Sequence, residues 1–307
     1  MDITSLNELR IVLDTAGQIA IAIALMLIMF GIALGLRVAD FTCLLQRRVQ
    51  FIAGVLTQLV GLPLITLALV KLIAPPPALA LGMFVVACCP GGAVSNLFTY
   101  LARGDTAYSV SLTAVSSALA AFLTPASILF WSGIYRPTST LLQTIDFNAV
   151  AFLAQTTMLL ALPLVLGMIL GARAPDVAMR VRRSITLAGS LVLAGAIVYG
   201  SIKFFALLAP ALPLIGMLTI AHNAVAFTTG AVAGLALRAN RATRRALTFE
   251  IGIQNSGLAI VILLAQFDGL GGAAAIAVLW GIWHLVAGGF LVMLFCYLDQ
   301  RRVKCGL

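Results

Sequence analysis

The residues of this sequence best suited to chemistry lie around Glu250. It is the only acid within a long apolar stretch, residues 246–267, and Gln254, Asn255 and Ser256 follow about one helical turn later. A carboxylate at the centre of a membrane span costs about 2.5–3.5 kcal/mol on insertion scales, so such a residue usually marks an ion or substrate path. The segment therefore predicts a group of oxygen ligands inside a membrane.

The composition is typical of a polytopic membrane protein. Of the 307 residues, 62% are hydrophobic and 9% are charged, which is more apolar surface than a soluble domain of this length could cover. The net charge of +9 would suggest nucleic acid as the partner of a soluble protein. Here the basic residues stand in short clusters between apolar runs, as topology signals do, so we expect the lipid bilayer as a partner and no nucleic acid.

Windows of about 20 apolar residues predict nine membrane-spanning helices. The predicted spans are residues 15–36, 49–73, 78–102, 106–133, 148–172, 184–204, 212–237, 244–267 and 273–298. Residues 1–14 are predicted to form a short amphipathic segment at the membrane interface. The fold class that follows is an all-α polytopic membrane protein.

The basic residues indicate how these spans are oriented. Successive spans cross in opposite directions, so every other loop lies on the same side of the membrane. All but four of the 19 Lys and Arg lie at the span ends of one side, and the exceptions are Arg10, Lys71, Arg136 and Lys203. By the positive-inside rule, the arginine-rich ends are cytoplasmic. We therefore expect a multi-pass protein of the cell (inner) membrane with its N-terminus outside and its C-terminus in the cytoplasm, which agrees with an odd number of spans.

Two of the predicted spans contain residues that interrupt a helix. Pro90, Gly91 and Gly92 lie in the third span, and Gly252 and Gly257 flank the polar residues of the eighth. Such breaks are tolerated at membrane depth where protein or a water-filled cavity satisfies the backbone. The alternative is an ordinary kink in the third span and a packing glycine in the eighth.

The positions of the two breaks also suggest a function. The third and eighth spans run in opposite directions, and each is the second to last of its half if the chain divides between spans four and five. Interrupted helices at corresponding positions of inverted halves point to the binding site of a secondary transporter. Helix N-termini after Gly92 and Asn255 would favour an anionic substrate, and hydroxyl, amide and carboxylate oxygens suit a hard cation such as Na⁺.

The same residues resemble the bile acid:sodium symporter family. The resemblance rests on residues 88–105 (CCPGGAVSNLFTYLARGD), Ser109, Thr113 and residues 250–259 (EIGIQNSGLA), and it extends to residues 27–36 and to Trp283 and His284. It implies sodium-coupled symport of a small organic anion into the cytoplasm by alternating access. It also implies two Na⁺ ions, and the substrate range of the family includes bile-acid-like, sulfonated and short carboxylic acids.

For the fold, the resemblance implies two inverted repeats that form panel and core domains with two crossed discontinuous helices. Residues 1–138 would be the first repeat, with spans one to four, and residues 139–307 the second, with spans five to nine. The core domain would comprise spans 2–4 and 7–9, and the panel spans 1, 5 and 6. The chain is similar to the nine-span form, which lacks the first span of ten-span relatives.

The resemblance also assigns candidate site residues. One Na⁺ site would be formed by Ser95, Asn96, Ser109, Thr113 and Glu250. The other would be formed by Gln58, Gln254, Glu250 and the backbone carbonyls of Ile251 and Ile253. The substrate positions would be Asn255, His284, Ala93 and Leu285. Ala93 and Leu285 stand where relatives often have Thr and Asn, so the cavity is expected to be less polar than in relatives that take small hydroxy acids.

The residues alone leave several of these assignments open. Gln58 could equally be a helix-packing hydrogen bond, and Ser109 and Thr113 commonly bond the carbonyl four residues earlier. His284 could line a cavity or be a packed neutral histidine. His222 and the asparagine after it are expected to brace the crossing region.

Other function classes were also compared with the sequence. An intramembrane enzyme would need paired aspartates, a Ser with His or Lys, or a metal-binding cluster of the H-E-x-x-H type. The predicted spans contain no aspartate and no such cluster, so this class is rejected. A channel is not favoured because no repeated filter sequence is present. The remaining alternative is a proton-coupled or efflux carrier of an organic anion or metabolite in which Glu250 titrates.

Overall fold

The computed structural model describes residues 15–36, 48–145, 147–267 and 269–304. Within these ranges the chain is mostly helical and contains no β-strand. The α-helices are α1 (Thr15–Ala33), α2 (Arg48–Leu56), α3 (Leu62–Ile73), α4 (Pro77–Cys88), α5 (Val94–Leu101), α6 (Thr106–Ile134), α7 (Arg136–Thr144), α8 (Ala149–Arg173), α9 (Pro175–Leu208), α10 (Leu212–Ala236), α11 (Arg241–Gly252), α12 (Ser256–Gln266) and α13 (Gly271–Lys304). The predicted interfacial segment 1–14 lies outside the described residues.

Among the described residues, seven helices or helix runs are long and apolar enough to cross a membrane. Each of the other two predicted spans is a pair of short helices: α4 with α5, and α11 with α12. The all-α polytopic fold is therefore confirmed, and both predicted interruptions are present. Neither span is merely kinked, because a helix ends in each of them, although Gly252 also packs closely, so that an added Cβ would clash with Phe227 Cδ1.

Two helix boundaries differ from the sequence prediction. The sixth span was expected to begin at residue 184, but α9 begins at Pro175 and includes the basic residues that follow. Pro175 occupies the first turn, where its missing N–H costs nothing, and Asp176 stabilises the positive end of the helix. The segment after Gly133, expected to be a loop, contains the short helix α7, which has Pro137 in its first turn.

The second predicted span is continuous but contains one wide turn. Residues Thr57–Gly61 between α2 and α3 form a π-helix, and Pro63 follows at the second position of α3. Proline cannot donate a backbone hydrogen bond to the turn before it, and a π-turn is one way in which a helix accommodates such a residue. Gln58 lies in this turn with its side chain buried.

Helices α1, α8 and α9 pack together through small residues. A Cβ added to Gly189 of α9 would come within 2.8 Å of the Ala24 carbonyl of α1, and one added to Gly167 of α8 would come within 2.6 Å of Ala33 Cβ. Such close approach of helix backbones is typical of membrane proteins, where van der Waals packing replaces the hydrophobic effect.

The short helix α4 lies at the centre of the remaining helices. Its residues from Ala78 to Cys88 are all buried, and it packs against α13, α6 and α3. Nearby, α10 and α11 approach so closely that a Cβ on Gly230 would lie 2.4 Å from the Leu247 carbonyl oxygen. These contacts hold the ends of both interrupted helices in place.

A buried arginine ties the start of α11 to two other helices. Arg245 is 6% exposed and donates to the Ala102 carbonyl at the end of α5 at 2.7 Å. It also donates to Asp299 of α13 through two nitrogens, at 2.8 Å and 2.6 Å. A two-nitrogen contact of this kind fixes orientation as well as distance, so the ends of α5, α11 and α13 are held together.

Candidate ion-binding site at two interrupted helices

The two helix breaks meet in the interior of the protein. Gly91 and Gln254 form an antiparallel backbone bridge. Gly92 N–H donates to the Ile253 carbonyl at 3.0 Å, and Asn255 N–H donates to the Pro90 carbonyl at 2.9 Å. Backbone groups in hydrocarbon need a partner within the protein. Each break supplies that partner for the other.

The residue types in the third span allow this close crossing. Pro90 has no N–H to leave unsatisfied, and the two glycines leave room for their neighbours. A Cβ on Gly91 would lie 2.7 Å from Glu250 Oε2, and one on Gly92 would lie 3.1 Å from the Gln254 carbonyl oxygen. A larger residue at Gly91 would therefore displace the carboxylate.

The first predicted ion-binding cluster converges on Glu250, which lies in the last turn of α11 and is 1% exposed. Ser95, in the first turn of α5, donates to Glu250 Oε1. Ser109 of α6 donates to the same oxygen at 2.5 Å, and Thr113, one turn later, contacts both carboxylate oxygens at 2.8 Å. Three hydroxyl groups from two other helices therefore surround the carboxylate.

The fifth predicted member, Asn96, faces the same cluster with its amide oxygen. Ser109 donates to Asn96 Oδ1 at 2.8 Å, and Thr113 lies 3.3 Å from that oxygen. The structure thus brings all five residues together. The hydroxyls of Ser109 and Thr113 contact the cluster, unlike that of Ser111 on the same helix, which bonds the Ala107 carbonyl at 2.9 Å.

The hydroxyl groups of this cluster face more oxygen atoms than they have hydrogens to donate. Ser109 has one hydroxyl hydrogen but three oxygen neighbours, Glu250 Oε1, Asn96 Oδ1 and Thr99 Oγ1, at 2.5, 2.8 and 3.2 Å. Thr113 likewise faces three oxygens with one hydrogen. A hydroxyl offers a single donor, so these residues fit a cation that several oxygens share.

Glu250 also lacks a basic partner. Across the described part of the chain, no Lys, Arg or His forms an ion pair with it. An unpaired buried carboxylate is costly, and removing the charge or supplying a cation are the ways to offset that cost. The arrangement can therefore hold a small hard cation, or a proton, next to Glu250.

The second predicted cluster centres on two glutamines that lie far apart in the sequence. Gln58 Nε2 donates to Gln254 Oε1 at 2.7 Å and to the Cys89 carbonyl at 3.2 Å. Gln254 Nε2 donates to the Ile251 carbonyl at 2.7 Å. The Ile253 carbonyl accepts the hydrogen bond from Gly92 across the break. Gln58 is therefore a member of the crossing region rather than a simple helix-packing residue.

One atom of this second cluster has no partner. Gln58 Oε1 is buried and makes no hydrogen bond, although a buried amide oxygen is normally satisfied. Glu250 forms no hydrogen bond with either glutamine among the described contacts, but its Oε2 faces Gly91, the bridge partner of Gln254. The unpartnered oxygen of Gln58 fits a ligand of a second cation.

The four predicted substrate residues occupy different surroundings. Ala93 is exposed and immediately precedes α5, and Asn255 is half-buried and immediately precedes α12. The Asn255 side chain caps α12 by accepting from Leu258 N–H at 3.0 Å. His284 is buried, at 5% exposure, whereas Leu285 is 41% exposed. His284 and Leu285 therefore do not face the same surroundings, although they are adjacent.

Helix α13 carries His284 past both breaks. A Cβ on Gly281 would lie 2.7 Å from Ser256 Oγ at the start of α12, and one on Gly288 would lie 3.3 Å from Ile253 Cδ1. Because His284 lies between these two glycines in the sequence, it stands at the level where the interrupted helices cross.

Three further residues, whose roles the sequence indicated less clearly, also support the site. Thr99 lies one turn after Ser95 and contacts the first cluster through the hydroxyl of Ser109. The only sequence signal for it was that Ser95 and Thr99 are four residues apart and so share one face of a helix. Asn223 Nδ2 donates to the Gly252 carbonyl at 2.8 Å, where α11 ends. His222 Nε2 lies 2.8 Å from Thr66 Oγ1. The predicted bracing role of His222 and Asn223 agrees with these contacts.

Comparison with known proteins places this architecture in a family. The model of the Sodium Bile acid symporter family matches residues 22–231. The "Uncharacterized sodium-dependent transporter YocS" of Bacillus subtilis (strain 168) is 32% identical over 277 residues, which cover 88% of this chain and 81% of that protein. The "Ileal sodium/bile acid cotransporter" of Homo sapiens is 26% identical over 264 residues, which cover 85% of this chain and 72% of that protein.

A further relative has a broader name. The "Probable sodium/metabolite cotransporter BASS1, chloroplastic" of Oryza sativa subsp. japonica is 29% identical over 266 residues, which cover 86% of this chain and 62% of that protein. The family match covers more than half of the chain and includes the interrupted third span. The protein belongs to the sodium bile acid symporter family, and it is therefore a sodium-coupled membrane transporter and not an enzyme.

Proposed function

We propose that the protein carries two Na⁺ ions and one small organic anion together into the cytoplasm by alternating access. The observation that carries this proposal is the buried carboxylate of Glu250 inside a cluster of hydroxyl and amide oxygens with too few hydrogens. A hard monovalent cation supplies the missing positive charge and accepts several oxygen ligands at once.

Sodium is favoured over a proton by the number of oxygens around Glu250. A proton on the carboxylate needs only one acceptor, and it would leave Ser109 and Thr113 with the same excess of oxygen neighbours. A cation shared by Ser95, Ser109, Thr113 and Asn96 uses all of them. The alternative is a proton-coupled or efflux carrier in which Glu250 titrates.

A second Na⁺ ion is supported by the other side of the crossing. Gln58 Oε1 is buried without a partner, and the carbonyls of Ile251 and Ile253 belong to the break beside it. The wide turn that holds Gln58 is of a kind often found at functional sites. These oxygens would bind the second ion, with Glu250 shared between the two sites.

The helix packing supports a division into panel and core. Helices α1, α8 and α9, which correspond to spans 1, 5 and 6, pack together and would form the panel. The candidate ion ligands lie on helices of spans 2, 3, 4 and 8, which would belong to the core, with residues 1–138 and 139–307 as the two repeats. The core would carry ions and substrate as one unit when it moves against the panel.

The substrate is proposed to be a small organic anion that is less polar than a hydroxy acid. Helix α5 begins without a side-chain cap. Ser95 N–H donates to the Gly92 carbonyl, but the positive end of the helix still favours an anionic group. Asn255 and His284 provide polar contacts, whereas Ala93 and Leu285 provide apolar ones. A bile-acid-like, sulfonated or short carboxylic acid fits these positions better than a small hydroxy acid.

The orientation of the protein in the membrane is inferred from the distribution of its basic residues. The arginine-rich span ends are proposed to face the cytoplasm, with the N-terminus outside and the protein in the cell (inner) membrane. Uptake into the cell would then use the inward sodium gradient.

A ligand screen tests the proposed function. The purified full-length protein is heated with a panel of bile acids, sulfonates and short carboxylates, in NaCl and in KCl of equal strength. At least one anion is expected to raise the melting temperature in Na⁺ and to have little effect in K⁺, since ligand binding stabilises the folded state. Equal stabilisation in K⁺, or a dependence on pH in place of Na⁺, would favour the proton-coupled alternative.

A further inference from the structure

A pocket lies at the arginine-rich end of three helices. It has a volume of about 230 Å³ and lies between the last turns of α10, the first two turns of α11 and the end of α13. Arg241, at the start of α11, lines it, and Glu250 lies nine residues further along. That separation is about 13 Å at 1.5 Å per residue. Thr248 also lines the pocket, two residues before Glu250, but no residue of the two ion-binding clusters does.

The charge in this pocket is positive. Arg241, Arg244 and Arg245 line it together with one acid, Asp299. Arg245 occupies both oxygens of Asp299, at 2.8 and 2.6 Å, whereas Arg241 is 3.6 Å from Asp299 and its side chain is 46% exposed. Arg244 forms no ion pair with any described residue. Two arginines therefore remain available to an anion.

The pocket also has an apolar part next to its charged rim. Leu235 of α10 and Leu298 of α13 line it and are 57% and 43% exposed. The apolar residues of α13 give way to Asp299, Gln300 and Arg301, so Asp299 and its neighbour Arg241 are placed at the level of the lipid headgroups. The rim is therefore basic where a membrane presents phosphates, and the adjoining surface is apolar where it presents acyl chains.

We propose that this pocket binds an anionic phospholipid of the leaflet on the arginine-rich side. Arg241 and Arg244 would hold the headgroup phosphate, since guanidinium groups match its geometry. Leu235 and Leu298 would contact an acyl chain. Arg245 does not bind the lipid, because its donors are used by Asp299 and the Ala102 carbonyl. The lipid would stabilise the start of α11, the helix that carries Glu250.

The test uses the full-length protein in detergent, titrated with short-chain phosphatidylglycerol while the melting temperature is recorded. Phosphatidylcholine tests the need for net negative charge, and inorganic phosphate tests the need for acyl chains. The Arg241→Gln/Arg244→Gln variant is expected to bind phosphatidylglycerol about 30-fold more weakly, from the typical contribution of each basic residue near an anionic surface. The Arg180→Gln/Arg183→Gln variant, which loses two exposed arginines of α9, is expected to bind like the wild type.

A second variant examines the apolar part without changing charge. Ala231 lines the pocket, and Ala231→Phe is expected to fill it and to abolish the response to phosphatidylglycerol in a protein that still responds to Na⁺. The proposal is overturned if the Arg241/Arg244 variant keeps the wild-type response, or if the α9 control loses it equally. A response to inorganic phosphate as large as that to phosphatidylglycerol would show a phosphate site and would also overturn the lipid proposal.

Discussion

Gly91 and Gln254 are joined by an antiparallel backbone bridge, although one lies in the third membrane span and the other in the eighth. The bridge brings the carboxylate of Glu250 against Gly91 and the amide of Gln254 against Gln58. Both candidate ion-binding clusters are therefore built around a single backbone contact between two interrupted helices, and a change at that contact should affect both.

The Gly91→Ala substitution tests this dependence. The added Cβ would lie 2.7 Å from Glu250 Oε2, so either the carboxylate or the bridge must move. We expect a destabilisation of about 1–3 kcal/mol, as for other overpacked sites, and loss of stabilisation by Na⁺. The melting temperature in NaCl and in KCl measures both effects.

Gly289→Ala is the matched control for that substitution. Gly289 lies in α13 next to Gly288, which approaches the break, but a Cβ at Gly289 would meet nothing within 4 Å. It is expected to keep the wild-type response to Na⁺. If Gly91→Ala behaves like Gly289→Ala, the close approach of the two breaks is not required for ion binding.

The two ion-binding clusters should be separable by mutation. Thr113→Ala removes a hydroxyl that contacts both oxygens of Glu250 at 2.8 Å, and Gln58→Ala removes the orphaned amide oxygen of the second cluster. Each is expected to lower the apparent Na⁺ affinity about tenfold, which corresponds to about 1.4 kcal/mol, and to bring the Hill coefficient from above one towards one. Sodium titrations of substrate uptake into proteoliposomes measure both quantities.

Ser111→Ala provides the control for this pair. Ser111 lies on the same helix as Thr113 and is also buried, but its hydroxyl bonds the Ala107 carbonyl. Its Na⁺ titration should match that of the wild type. A Hill coefficient of one in the wild-type protein would contradict the two-ion proposal, whatever the variants do.

The interrupted helices could be predicted from the sequence because their causes are local. Pro90, Gly91 and Gly92 weaken a helix wherever they occur, and Glu250 is conspicuous in an apolar span. The convergence of Ser95, Asn96, Ser109, Thr113 and Glu250 followed from the family resemblance and not from spacing, because hydroxyl residues in membrane helices commonly bond their own backbone.

Other features depend on tertiary contacts and had no clear sequence signal. The bond of Gln58 to the Cys89 carbonyl arises from the packing of spans two and three. The contact of Arg245 with Asp299 joins positions 54 residues apart, and both residues were assigned to span ends. The early start of α9 at Pro175 was missed because its first turns are rich in arginine, which also marks loops.

Membrane orientation is a further prediction. The arginine-rich span ends predict a cytoplasmic C-terminus and an outside N-terminus. A reporter that is active only in the cytoplasm, fused after Leu307, is expected to be active, and one that is active only in the periplasm is expected to be inactive. The opposite pair of results would contradict the positive-inside argument.

Transport should be electrogenic if two Na⁺ ions accompany one monoanion. One net positive charge would then move inward in each cycle, and a membrane potential of 100 mV would contribute about 2.3 kcal/mol to uptake. Collapsing the potential in proteoliposomes with an ionophore is expected to slow accumulation of a confirmed monoanion while Na⁺-driven exchange continues. Electroneutral transport of that monoanion would mean that only one Na⁺ is coupled.

The most direct test of the central claim is the response of a Glu250→Gln variant to Na⁺. Glutamine keeps the size of the side chain and removes the charge that the surrounding oxygens and the cation would share. The wild-type protein is expected to melt at a higher temperature in NaCl than in KCl, and the folded variant is expected to melt at the same temperature in both. A Glu250→Gln protein that Na⁺ stabilises as strongly as the wild type would contradict the assignment of Glu250 as the shared sodium ligand.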